Sequence, residues 1–145
     1  MAICYLVRHA AAAPSSPRGD AGRVLSDEGR ARFGALVAAL SGELKVRRIL
    51  SSPYERAVQT AELLGEACGV SVEQLPQLAA GESSAGALLA LARSCGEGCA
   101  LVGHNPEIGE AMAAVARTRV AVPPGTVAAV ELDASGARLL WRREP

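Results

Sequence analysis

Short apolar runs alternate along this chain with segments whose apolar residues recur every three or four positions. Residues 3–7, 49–50, 70–75, 99–103 and 127–132 read as strands, and a last run ends at Trp141. Helical patterns lie between them. Phe33, Leu36, Val37 and Leu40 fall at i, i+3, i+4 and i+7, and Ser26 is a capping residue with Asp27 and Glu28 in the first turn, where carboxylates suit the helix dipole. A second helix is predicted to begin after Ser52 with Pro53 at its first position, to bury Tyr54, Ala57, Val58, Ala61, Leu64 and Cys68, and to stop at Gly69. Residues 76–84 read as a loop before a small helix carrying Leu88, Leu89 and Ala92, and a fourth helix after Pro106 buries Ile108, Met112 and Val115. Strands that alternate with helices imply βαβ units, an α/β fold with a largely parallel sheet. A turn at residues 133–136 makes the last two runs a hairpin on the sheet edge. With no repeat and no linker, residues 1–145 are expected to form a single domain.

Composition changes this picture in two ways. Hydrophobic residues make up 50% of the chain but aromatics only 3%, so Ala, Val and Leu must fill the core, which suits helices packed closely on a sheet. The 15 basic residues balance 15 acidic ones, so no global field draws the protein to nucleic acid or to an anionic membrane, and any anion specificity is local. No apolar stretch reaches the ~20 residues that span a bilayer, and no basic segment precedes the first strand, so a cytoplasmic location is expected. Cys4, Cys68, Cys95 and Cys99 contain no C-x-x-C pair and are expected to be free thiols, mostly buried. Zinc held by Cys95, Cys99 and a histidine lacks a recognisable ligand spacing and a nearby carboxylate, so no metal is expected.

Histidine is scarce, and its placement carries the candidate chemistry. His9 and His104 are the only two, and each closes an apolar run where a buried strand opens into a loop. In open α/β sheets ligands bind at that edge. Arg8 precedes His9, and residues 49–56 repeat the plan, delivering Arg56 at the start of a helix. Taken singly, a strand-end histidine reads as structural and an arginine as surface charge. Together, two imidazoles and two guanidinium groups around one point would bind phosphate, because the guanidinium fork matches phosphoryl oxygens and helix N-termini after Pro53 and Pro106 add donors. Such donors stabilise a phosphoryl group in transfer. There is no Walker lysine, and Gly96-Glu97-Gly98 precedes its strand where a dinucleotide fingerprint would follow one, so no cofactor is implied. Without a metal hydroxide the nucleophile must come from the protein, and a neutral imidazole serves, since the phosphoramidate it forms is labile to water. One histidine attacks and the other binds.

Leu6-Val7-Arg8-His9 resembles the RHG signature of the histidine phosphatase superfamily, also called phosphoglycerate mutase-like. The segment Ser51-Ser52-Pro53-Tyr54-Glu55-Arg56-Ala57-Val58-Gln59-Thr60-Ala61 is similar to the family's SSPxxRAxQTA block, and Gly103-His104-Asn105-Pro106 to its second-histidine block. The blocks occur in family order and the likeness covers nearly the whole chain. It implies a three-layer α/β/α fold, with His9 as the nucleophile that becomes phosphorylated and Arg8, Arg56 and His104 holding the phosphoryl oxygens. Arg23 corresponds in position to a further phosphate-contacting arginine, or is a solvated loop residue. Ser51 and Ser52 are candidates to orient backbone or phosphate, although capping the second helix also accounts for Ser52.

Two carboxylates compete for the role of proton donor to the leaving group. Glu82, beside Gly81 in the loop after Leu78, is the first choice; Asp20, in the irregular stretch at residues 10–22, is the alternative. The family's glycine after the nucleophile is Ala10 here, adding a methyl where backbone passes near the phosphate. About twenty residues separate Glu82 from the His104 strand, which leaves no room for an inserted lid. An open pocket admits a phosphorylated side chain, so the chain most resembles the compact bacterial SixA-type phosphohistidine phosphatases. The expected partner is a phosphohistidine protein or, failing that, a small phosphate ester; a phosphate-binding module without catalysis is the remaining alternative.

Overall fold

A computed structural model describes residues 1–145. In chain order it contains β1 (Ala2–Arg8), α1 (Asp27–Leu40), β2 (Arg48–Ser51), α2 (Glu55–Cys68), β3 (Val72–Gln74), α3 (Ala85–Cys95), β4 (Cys99–Gly103), α4 (Glu107–Ala116), β5 (Val127–Leu132) and β6 (Ala137–Arg143). Single turns of 3-10 helix occur at Asp20–Gly22 and Pro76–Leu78. The strands form one six-stranded sheet in the order β3-β2-β4-β1-β5-β6. Its first four members are parallel, while β5 runs antiparallel to β1 and β6 antiparallel to β5. The α/β architecture and the C-terminal edge hairpin are as the apolar pattern predicts.

Both faces of the sheet are covered, which is why its central strands read as continuous apolar runs rather than alternating ones. Tyr5 and Val7 of β1 pack with Phe33 and Val37 of α1 and Ala57, Ala61 and Leu64 of α2. Cys4 and Leu6, pointing the other way, pack with Leu88 and Ala92 of α3 and Ile108, Met112 and Val115 of α4. Ala10 belongs to the first of these layers and is 1% exposed, so the methyl that departs from the family glycine fills core.

Three local expectations are corrected. The second helix starts at Glu55, not Pro53: the Ser52 hydroxyl accepts the Tyr54 N–H at 3.1 Å, and this turn holds Tyr54 in an extended conformation (φ −63°, ψ 138°). The strand expected at residues 70–75 is shorter, because Gly69 (φ 71°) closes α2 by letting Val70 donate to the Gly65 carbonyl at 3.0 Å. Cys95 and Cys99 are not free but joined in a disulfide, and only Cys4 and Cys68 remain as thiols. The reversal from α3 into β4, with Gly96 at φ 90° and Gly98 at φ 80°, brings the paired Cα atoms to 5.9 Å, within bridging reach. A C-x-x-C search does not screen that spacing.

The irregular stretch after His9 is fastened to α1. The Ala11 carbonyl accepts both the N–H and the hydroxyl of Ser26, whose oxygen caps the helix at the Gly29 N–H. Gly29 lies directly on Ala11, and a Cβ there would overlap that carbonyl. Gly29→Ala is therefore expected to cost about 2 kcal/mol and to lower the melting temperature by roughly 8 °C. Gly34→Ala on the same helix meets nothing within 4 Å and should stabilise by up to about 1 kcal/mol. Equal melting temperatures for the two variants would contradict this packing.

Candidate active site

Strand register brings the candidate residues level. β4 lies between β1 and β2, pairing Gly103 with Arg8 and Val102 with Ser51. The ladder continues one step past the strand ends, since His9 N–H donates to the Gly103 carbonyl and Ser52 N–H to the Val102 carbonyl, both at 3.0 Å. His9, Ser52 and His104 thus share one edge, and the two imidazole centres are 5.2 Å apart. All three are buried.

His9 is held by backbone on one side only. Its Nδ1 is 2.8 Å from the Ala10 carbonyl, which can only accept, so Nδ1 carries the proton and Nε2 presents a lone pair. The Nε–H of Arg56 approaches that lone pair at 3.4 Å. Thr60, one turn after Arg56, accepts the Ala10 N–H at 2.9 Å and donates to the Arg56 carbonyl at 2.7 Å, tying the loop after His9 to α2.

Arg56 has only 7% of its side chain exposed and is clamped by the loop that covers it. It donates to the Asp20 carbonyl at 2.7 Å and to the Asp20 carboxylate at 3.2 Å, while the Tyr54 ring lies 5.1 Å from its guanidinium carbon. Arg23 donates to the same carboxylate at 3.0 Å and to the Ala13 carbonyl at 2.7 Å. Arg8 donates through one terminal nitrogen to the Val122 carbonyl at 2.9 Å, which also accepts from Asn105. The Nε of Arg8 and the Nδ1 of His104 are buried and meet no partner within the protein. On its other side His104 places Nε2 2.8 Å from the Ser52 hydroxyl, and its ring packs edge-on against Tyr54 with centres 5.0 Å apart.

This environment keeps both imidazoles neutral. Burial pushes His9 down to about 4, with the Arg56, Arg8 and Arg23 charges adding to it and the bond to Ala10 opposing. Burial likewise pushes His104 down to about 3, reinforced by His9, Arg56 and Arg8 and opposed by Asp20. The hydrogen bonds from Arg23 and Arg56 hold the Asp20 carboxyl below its usual range. Burial and then Arg56 lower Arg8.

Of the residues singled out in the sequence, Arg8, His9, Arg56 and His104 come together, and Arg23 and Asp20 join them through Arg56. The exposed side chain of Glu82 forms no hydrogen bond or ion pair with any of them. A different carboxylate, that of buried Glu107, holds the adjoining loop by accepting the Gly81 N–H at 2.8 Å. Glu107, Tyr54, Thr60 and Asn105 were not singled out as site residues. Thr60 had a signal: with Arg56 and Gln59 it forms a polar i, i+3, i+4 set at the start of an otherwise apolar helix face, and Gln59 accepts the Leu25 N–H at 2.8 Å. Two neutral imidazoles facing two guanidinium groups, with buried polar nitrogens unengaged, form a pocket suited to a tetrahedral oxyanion beside a nucleophilic nitrogen.

The fold recurs in solved structures. The chain superposes on the protein histidine phosphatase SixA complexed with tungstate with a TM-score of 0.86, at 26% identity over 99% of this chain and 97% of that one. A SixA from Agrobacterium tumefaciens gives 0.81 at 27% identity over 99% and 98%. A mycobacterial glucosyl-3-phosphoglycerate phosphatase complexed with VO3 gives 0.71 at 16% identity over 100% of both chains, a likeness of fold alone. No curated protein sequence matches the chain. The family model of the histidine phosphatase superfamily (branch 1) matches residues 4–122, a span that contains every candidate residue described above, and the chain belongs to that superfamily.

Proposed function

We propose that the protein is a phosphohistidine phosphatase that removes the phosphoryl group of a phosphorylated protein through a covalent intermediate on His9. Membership of the superfamily and the likeness to SixA support phosphatase chemistry; the substrate and the residue roles are our reading. The observation that carries it is the neutral His9, its Nδ1–H given to the Ala10 carbonyl and its Nε2 facing Arg56, with the His104 ring centre 5.2 Å from its own. Nε2 attacks phosphorus and the P–N bond of the substrate breaks. The electron pair leaves with the substrate imidazole, which takes up a proton from solvent water in the open pocket. Water then attacks the phosphorylated His9, releasing orthophosphate and restoring the ring. Arg8, Arg56 and His104 hold the phosphoryl oxygens, and Arg23 acts at one remove through Asp20. The nucleophile is thus supplied by the protein and no metal-bound hydroxide is invoked.

The carboxylates favour phosphohistidine over an ester. Asp20 is committed to two arginines that keep it ionised, and Glu82 is exposed and unattached, so neither is a poised acid. Imidazole leaves with less need of one than an alkoxide. A cytoplasmic setting belongs to the same proposal; the Cys95–Cys99 pair lies at the opposite end of β4 from His104, so its redox state does not touch this chemistry.

Brief incubation with a phosphohistidine protein should yield an acid-labile, base-stable phosphoenzyme on His9, absent from His9→Ala. Phosphate found on a serine contradicts the proposal. In a substrate panel, efficient turnover of small esters alone would identify a small-molecule phosphatase, and no turnover by the wild type a binding module. Glu82→Gln should leave phosphohistidine turnover within about threefold; a loss of about 100-fold, the usual effect of removing a general acid, would identify Glu82 as one. The imidazoles also set the pH response. A folded-state pKa below the unfolded value means the unfolded chain binds more protons between about 6.5 and 4, so stability falls as pH drops through that window. Melting temperature should decline from pH 6.5 to 4, less steeply in His9→Ala, and kcat/KM should fall on the acid side near pH 4 rather than 6.5. An acid limb at 6.5 would show that His9 is not buried as described.

A further inference from the structure

Every donor and acceptor around His104 can be counted, and the count selects a tautomer. Ser52 is fully buried; its oxygen already accepts the Tyr54 N–H at 3.1 Å, and its one proton has a single acceptor within reach, His104 Nε2 at 2.8 Å. If Nε2 carried the proton instead, the Ser52 hydroxyl proton and the Nδ1 lone pair would both be buried without partners. With Ser52 donating to Nε2, the only group of this pair left over is a buried Nδ1–H. A buried polar group without a partner costs about 1–3 kcal/mol, so the arrangement with one such group is favoured over the arrangement with two.

We infer that Ser52 is a positioning residue that locks His104 as the Nδ1–H tautomer, so that a neutral imidazole presents a fixed donor to the phosphoryl group. The inference rests on the reading of His9 and His104 as the phosphoryl site. It accounts for how His104 serves as a donor while its environment keeps it uncharged: an imidazole with Nε2 as its acceptor side needs no extra proton to donate from Nδ1. The Tyr54 N–H accepted by the Ser52 oxygen fixes where that oxygen sits, and the hydroxyl proton is left with His104 Nε2 as its acceptor. The first turn of the SSP block thereby does more than enter the helix.

Nitrogen-15 NMR of the imidazoles tests this directly, and with two histidines in the chain, His9→Ala assigns the remaining ring to His104. In the wild type at pH 7, His104 should show a protonated Nδ1 and an unprotonated Nε2; the reverse pattern overturns the inference. Ser52→Ala should lose that preference and bind orthovanadate about tenfold more weakly, as expected for one lost hydrogen bond to an anion, while Ser52→Thr, which keeps the hydroxyl, stays within about twofold. An unchanged tautomer and unchanged vanadate affinity in Ser52→Ala also overturn it. Should Ser52→Ala fail to fold, the wild-type and Ser52→Thr spectra decide. Failure of the functional reading looks different: the wild type would not bind vanadate at all, whatever its tautomer.

Discussion

Two imidazoles with centres 5.2 Å apart stay buried beside the guanidinium groups of Arg8 and Arg56 only while both are uncharged. Protonating either would add a cation to a pocket that already holds two, with little water to screen it. The whole site follows from that constraint. His9 Nδ1 is fixed at the Ala10 carbonyl and His104 Nε2 at the Ser52 hydroxyl, while His9 Nε2 meets the Arg56 Nε–H and His104 Nδ1 is buried without a partner. In the proposed reading one ring offers a lone pair and the other a proton. A phosphoryl group needs both, an attacking nitrogen and donors for its oxygens.

The fold sets this pair of rings on rigid supports. His9 and His104 follow adjacent parallel strands whose ladder extends past the strand ends, so neither ring depends on a mobile loop for its position. Arg56 comes from a helix bound to the loop after His9 through Thr60, and the loop that carries Asp20 closes over its outer side. Asp20 serves here as an anchor for cations. Its two ion pairs orient Arg56 and Arg23 and keep the carboxylate ionised.

The sequence made the layers and the shared edge legible because both depend on patterns that survive in one dimension: apolar runs for doubly covered strands, and scarce histidines at their ends. The start of α2 was misread because Pro53 is a common first residue of helices, whereas here a side-chain turn from Ser52 delays the helix to Glu55. The Cys95–Cys99 pair was missed because its closeness arises from two glycines at positive φ, a conformation no cysteine spacing announces. Thr60 lay inside a recognised block without a role, since its partners, Ala10 and Arg56, are distant in the chain or backbone. The placement of Asp20 on Arg56 was equally invisible, being decided by how an irregular loop folds back over α2.

Family membership supports phosphatase chemistry, and the donor geometry is the ground on which we propose these residues for it. A crystal soaked in orthovanadate tests the central claim most directly. The account predicts vanadium on His9 Nε2, with Arg8 Nε, Arg56 Nε and His104 Nδ1 at hydrogen-bonding distance from its oxygens. Vanadate bound away from His9, or attached to His104 in its place, would contradict it.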